Sequence, residues 1–280
     1  MVLIADILRR GAVIGTLGVA WWAPATSAGV RTPPSASQAT TNPCTVNPVL
    51  RCPDLVMSAP SHLEFDRSSE PGRVLLRAAS SINDLGSGPL ELVGERRGST
   101  MRVFQAIYDR LGQRHVYRTS ARLIYKHVPG DRYGHAPVGG FSYWKFHQAA
   151  TFQLWSVDAT GQATRLVRSG PKLDYCFRDL SHTHALTGSP LQAVYPACNQ
   201  SAGLQRDTLG TSVGWSDVYP YEYPEQWIDV TGLHGHYAYV QIANPRHLLY
   251  ESDETNNVSE TYVDLPSGRV TRQRVALSRP

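Results

Sequence analysis

A mainly β chain, folded as a sandwich with long irregular loops, is what the sequence predicts, and three observations predict it. Runs rich in Val, Leu, Ile, Tyr and Phe recur along the chain. Clusters of turn-forming residues separate them, and no long segment with a 3.6-residue apolar period competes. The runs are 73–78, 90–93, 101–108 and 116–126, then 226–230, 236–244 and 258–265. Between them lie Asp84-Leu85-Gly86-Ser87-Gly88-Pro89, 109–112 and Pro129-Gly130-Asp131. Two more runs, 141–146 and 151–157, alternate strictly. Alternate residues of a strand share a face, so Phe141, Tyr143 and Lys145 point the same way.

The segments outside this pattern set the domain limits. Arg9 and Arg10, the short apolar run 11–23 and the small residues Ala25-Thr26-Ser27-Ala28 give residues 1–28 the form of a cleavable export signal. The apolar run is too short to span a bilayer comfortably. Gly11 and Ala12 after the arginine pair leave Sec and twin-arginine export both open. Residues 29–43 read as a Pro/Ser/Thr-rich linker, 44–267 as one β domain and 268–280 as a tail. The protein is expected to be secreted or at the cell surface, with no stable membrane span.

Composition excludes some functions. The 280 residues are 41% hydrophobic and 18% charged, as in ordinary globular chains, with a net charge of +4. The arginines are scattered, and no basic patch interleaved with aromatics points to nucleic acid. An even cysteine count in an exported chain suggests two disulfides. Of three possible connectivities the sequence-local one is preferred, Cys44 with Cys52 and Cys176 with Cys198. No Cys-x-x-Cys pair supports zinc.

Residues 170–214 lose the alternation, and so long an irregular stretch is usually functional or pinned by a disulfide. His182-Thr183-His184 and His234-Gly235-His236 have a spacing that can bind metal, although paired loop histidines are more often simply solvated. Asn199-Gln200-Ser201 and Asn257-Val258-Ser259 fit the N-glycosylation pattern.

Several motifs together resemble the lysyl oxidases, in their bacterial form. Pro53-Asp54-Leu55-Val56 is similar to the opening of that domain. Trp215-Ser216-Asp217-Val218-Tyr219 and Gln226-Trp227-Ile228-Asp229-Val230 look like the quinone-tyrosine segment and the strand after it. Asn244-Pro245 and Glu251-Ser252-Asp253-Glu254-Thr255-Asn256-Asn257 look like the C-terminal signature. The likeness runs from about Pro53 to Leu265. It implies an oxidase of peptidyl lysine that uses copper and lysine tyrosylquinone, a cofactor built from one lysine and one tyrosine of the chain. Those two match Lys172, four residues before Cys176, and Tyr219. Asp217 matches a carboxylate placed to take the substrate proton.

The resemblance breaks at the metal. The family carries His-x-His-x-His, which puts three imidazoles on one strand face. Trp144 fixes the register and places Phe141, Tyr143 and Lys145 at those positions. Phenylalanine has no lone pair, lysine is a cation at neutral pH, and tyrosine is a weak ligand. Two readings follow. One is a copper-less pseudo-oxidase, a secreted binding or structural module with no cofactor. Its partner is unidentified, a lysine-containing protein or a cell-surface component. The other is an active protein-lysine 6-oxidase with relocated ligands drawn from His135, His147, His182, His184, His234 and His236. In both, Lys172 and Tyr219 should approach each other. Lys145 should turn toward that pair, with Asp217 as a candidate partner for its ammonium.

Overall fold

The computed structural model describes residues 37–38, 41–130, 137 and 139–277. The proposed signal, most of the linker and His135 lie outside the described residues. Within them the only helix is a single turn, Pro43–Val46, capped by the Asn42 side chain, which accepts from the Cys44 amide. Everything else of regular structure is strand, in three sheets whose described pairs are antiparallel but for one.

The largest sheet runs Ser37–Gln38, Arg114–Val128, Thr100–Asp109, Leu90–Arg97, Arg206–Thr211. Leu50–Arg51 adds to Thr100–Asp109, and Phe141–Phe146 adds to Arg114–Val128. A second sheet runs Ala163–Ser169, Ala150–Val157, Gly235–Ala243, Val258–Leu265, Arg269–Leu277. The third is organised on the ten-residue strand Leu75–Asp84. That strand pairs with Trp215–Tyr219 and Trp227–Asp229 on one edge and with Leu55–Met57 and Ser61–Asp66 on the other. One core joins all three: Leu92, Val103 and Leu123 from the first, Phe152, Leu154 and Tyr239 from the second, Leu76 and Ile82 from the third. Burial of such side chains, ~1.5–3 kcal/mol each, is the main force holding the layers together.

Two segments depart from expectation. Residues 269–277 are a strand, paired with Val258–Leu265 through a tight turn, and not a tail. Their sequence, Arg269-Val270-Thr271-Arg272-Gln273-Arg274, is polar because this is an exposed edge strand, where arginines discourage further pairing. The linker also makes contact. Ser37 and Gln38 pair in parallel with Tyr117 and Arg118. Asn42 donates to the carbonyl of Glu251 and the carboxylate of Glu254.

Both expected disulfides are present, Cys44–Cys52 and Cys176–Cys198. The second ties Cys176, just past the turn that carries Lys172, to Cys198 within the irregular stretch. That stretch is less irregular than its sequence implies, since Arg206–Thr211 completes the first sheet against Leu90–Arg97.

The C-terminal signature is a buried knot. Glu251, fully buried, accepts from the Leu55 amide and from the side chains of Asn244 and Asn257. Burial pushes its carboxyl up to about 8. Asn256 donates to both oxygens of Asp54, so the opening and closing motifs of the domain meet. Asn257 is 1% exposed, which removes it as a glycosylation acceptor in the folded chain.

Candidate functional site

A turn, a backbone bridge and a strand bring the predicted residues together. Gly170 closes the strand Ala163–Ser169 by donating to the Phe152 carbonyl. A Cβ there would collide with the Trp227 carbonyl oxygen, so only glycine lets the chain pass. Pro171 and Lys172 follow, and Tyr175 then bridges to Phe146 by reciprocal backbone bonds of 2.7 and 3.2 Å. From the third sheet come Asp217 and Tyr219. They lie two apart in a strand and so on one face, opposite Ile82 and Ser80.

The Lys172 ammonium nitrogen stands 3.9 Å from the Tyr219 ring centre, 4.7 Å from Tyr175 and 4.9 Å from Tyr223. The rings of Tyr175 and Tyr223 meet Tyr219 edge-on at 4.8 and 4.9 Å. Three tyrosines thus cage one buried amine. Lys172 and Tyr219, far apart in sequence, are neighbours, as the resemblance requires.

Phe141, Tyr143 and Lys145 share a face that turns toward this cage. Phe141 stacks on Tyr143 with centroids 5.1 Å apart. The phenol of Tyr143 shares a 2.6 Å hydrogen bond with that of Tyr223, and the Lys145 nitrogen lies 5.0 Å from the Tyr143 ring centre. The opposite face serves structure. Trp144 donates its indole N–H to the Ser201 carbonyl, and Phe146 packs on Phe177.

The expected Lys145–Asp217 bond does not form. Lys145 Nζ, Lys172 Nζ and both oxygens of Asp217 are buried without a hydrogen-bond partner among the described residues. Their contacts are with ring faces and with each other's fields. Burial lowers the Lys145 amine to about 8. It lowers Lys172 well below its usual range, with Lys145 as the next cause. The ring faces oppose this, but cation–π attraction of ~2 kcal/mol is smaller than the several kcal/mol needed to desolvate an unpaired ion. Burial raises Asp217 to about 7, against the pull of Arg178, Lys172 and Lys145. Burial also holds the Tyr143 and Tyr219 phenols above their usual range, so both stay protonated.

Five residues missed in the sequence complete the site. Tyr175 and Tyr223 build the cage. Lys126 binds Asp174 at 2.9 Å and Glu225 at 2.8 Å. Asp174 also holds His147 at 2.8 Å. One signal could have found Lys126. The chain has only three lysines among its 27 Lys and Arg residues, and all three are here.

The residues that the resemblance sets at the family's metal positions do not fit copper. Phe141 offers only carbon. The Tyr143 hydroxyl is protonated and engaged with Tyr223. Lys145 presents an amine that competes with any cation for the same space. Of the relocated candidates among the described residues, His147 alone touches the site. His182 stacks on Trp215 with centroids 5.0 Å apart, His184 bonds Thr183, and His236 bonds Asp264 at 2.7 Å in the second sheet. His234 is exposed. Among the described residues no three His, Cys, Asp or Glu side chains converge as a metal-binding group.

Among curated proteins, none matches the chain. The family model described as lysyl oxidase matches residues 133–274. That is just over half of the 280 residues, and it spans the cage, the substituted strand and the C-terminal knot: the chain belongs to the lysyl oxidase family.

Proposed function

We propose that this lysyl oxidase family member works without copper and without a quinone, as a secreted or cell-surface binding or structural module. The observation that carries the reading is Lys145. Its buried amine occupies the third metal-ligand position and lies within the field of the Lys172 amine. A dication placed there would face these amines. The tyrosine oxidation that builds the family's quinone needs that metal, so Lys172 and Tyr219 stay separate side chains. Export is supported by two disulfides, which persist in oxidising compartments. No described helix is long and apolar enough to cross a membrane. A lysine-containing protein or a cell-surface component is the partner class we favour.

The competing reading, an active amine oxidase with other ligands, draws on the 3.9 Å approach of Lys172 to Tyr219. Expression of the exported protein in copper-rich medium separates the two. Bound copper, quinone absorbance and peroxide release with amine substrates are measured, and the Lys172 peptide is mapped. The expected result is no stoichiometric copper and a free Lys172. Tight stoichiometric copper with a Lys172–Tyr219 cross-link overturns the proposal.

A further inference from the structure

The amines of Lys126, Lys145 and Lys172 differ sharply in what holds them. Lys126 has two carboxylate partners, which raise its pKa and keep it an ammonium. Lys145 and Lys172 have none among the described residues. The Glu225 carboxylate acts on all three: it is bonded to Lys126 and attracts the other two through space.

Glu225 also faces outward. With Pro171, Trp227, Pro224, Glu70 and Arg77 it lines a cavity of about 550 Å³. Pro171 is the chain neighbour of Lys172, so the cavity lies against the segment that carries the buried amine. Glu225 is 23% exposed and has a left-handed backbone, φ 70°, unusual for a residue with a side chain. Its ion pair with Lys126 stands between the cavity and the cage, so release of that carboxylate is the access route the inference below requires.

We infer that Lys172 is a covalent capture site for a small uncharged aldehyde that arrives through this cavity. A lysine desolvated beside a second cationic group is the usual form of an imine-forming amine, and Lys145 is that second group. The Lys172 nitrogen attacks the carbonyl carbon to give a carbinolamine. The former carbonyl oxygen then leaves as water, taking the protons lost from nitrogen, and a C=N bond remains. The sequence is redox-neutral and needs no cofactor. Loss of water asks for a proton donor, and Asp217, raised to about 7 by burial, is partly protonated at neutral pH. The imine keeps its place over the rings of Tyr175, Tyr219 and Tyr223. The inference rests on the copper-less reading, since a lysine spent in a cross-link has no amine to offer.

The test treats the exported protein with propanal and sodium cyanoborohydride, which reduces an imine to a stable propyl amine. The lysine peptides are mapped before and after. With only three lysines, assignment is direct. Labelling of Lys172 about tenfold faster than Lys126 is expected, as a neutral amine should outrun a paired ammonium. Glu225→Ala, which removes that carboxylate from the cavity lining, should speed that labelling further. A free Lys172 that stays unlabelled while Lys126 or the terminal amine reacts overturns this inference alone. So does a Glu225→Ala protein with unchanged Lys172 labelling. A Lys172–Tyr219 cross-link in the untreated protein overturns the preceding proposal, and this one with it.

Discussion

Tyr143 and Tyr223 share a 2.6 Å hydrogen bond between their phenols, inside a cluster that water does not reach. It joins the strand that carries Phe141, Tyr143 and Lys145 to the segment beyond Tyr219. Tyr143 is thereby a structural partner of the cage.

Tyr143→Phe should leave the Tyr223 hydroxyl without its partner. The expected loss is ~1–3 kcal/mol in urea unfolding. Tyr223→Phe should cost a similar amount, and the double variant clearly less than the sum, because one bond is removed in each. Additive losses would show that the bond contributes nothing.

Lys145→Met should stabilise the protein. It replaces a buried, unpartnered amine with an apolar chain of similar length, and such exchanges gain ~1–4 kcal/mol. The gain should depend on pH. Lys145 falls from 10.5 to about 8 on folding, so the unfolded chain binds its proton more tightly. Its contribution to stability is full above 10.5 and is lost as pH falls through 8. The advantage of Lys145→Met should accordingly be largest below pH 8, on the order of 3 kcal/mol at most, and fade by pH 10.5. Paired urea titrations across pH 6–11 measure it. A pH-independent difference would refute the assignment.

Asp217→Asn should flatten a different limb. Asp217 rises from 3.8 to about 7 on folding. Its proton is bound more tightly in the folded chain, so stability attached to it is full below pH 3.8 and lost as pH rises through 7. The variant should gain on the wild type between those limits. Equal slopes in the two proteins would show that Asp217 ionises normally.

Phe141→His, Tyr143→His and Lys145→His made together should raise copper binding above that of the wild type. The three positions already share one strand face directed at Lys172 and Tyr219. Equilibrium dialysis against copper reads the outcome. A folded triple variant with no more copper than the wild type would show that the substitutions alone do not account for the loss.

What the sequence made legible was mainly alternation. The strands with a buried face, such as Leu90–Arg97 and Thr100–Asp109, stood out because one side of each is apolar. Arg269–Leu277 and Ala163–Ser169 did not, because both are exposed edges whose residues answer to water. The approach of Lys172 to Tyr219 followed from motif resemblance and could not be read from periodicity, since their separation hides it. Tyr175 and Tyr223 escaped notice because a tyrosine in an irregular stretch looks the same in a core or on a surface. Lys145 was expected to seek Asp217 by charge. It lies instead against the ring of Tyr143, and neither its nitrogen nor the Asp217 oxygens have a hydrogen-bond partner among the described residues.

The position of Leu75–Asp84 bears on what the family match means. Tyr219 is held in place by pairing with Ser80 on that strand, and Trp227–Asp229 hangs from the same edge. Yet the matched stretch begins only at residue 133. The recognisable part of the sequence is therefore not the folding unit. A chain cut at the start of the match would keep Lys172, Tyr219 and all three substituted ligand positions, and would lose the strand against which Tyr219 is aimed. Ancestry is written in the second half of this protein, while the geometry that expresses it is supplied by the first.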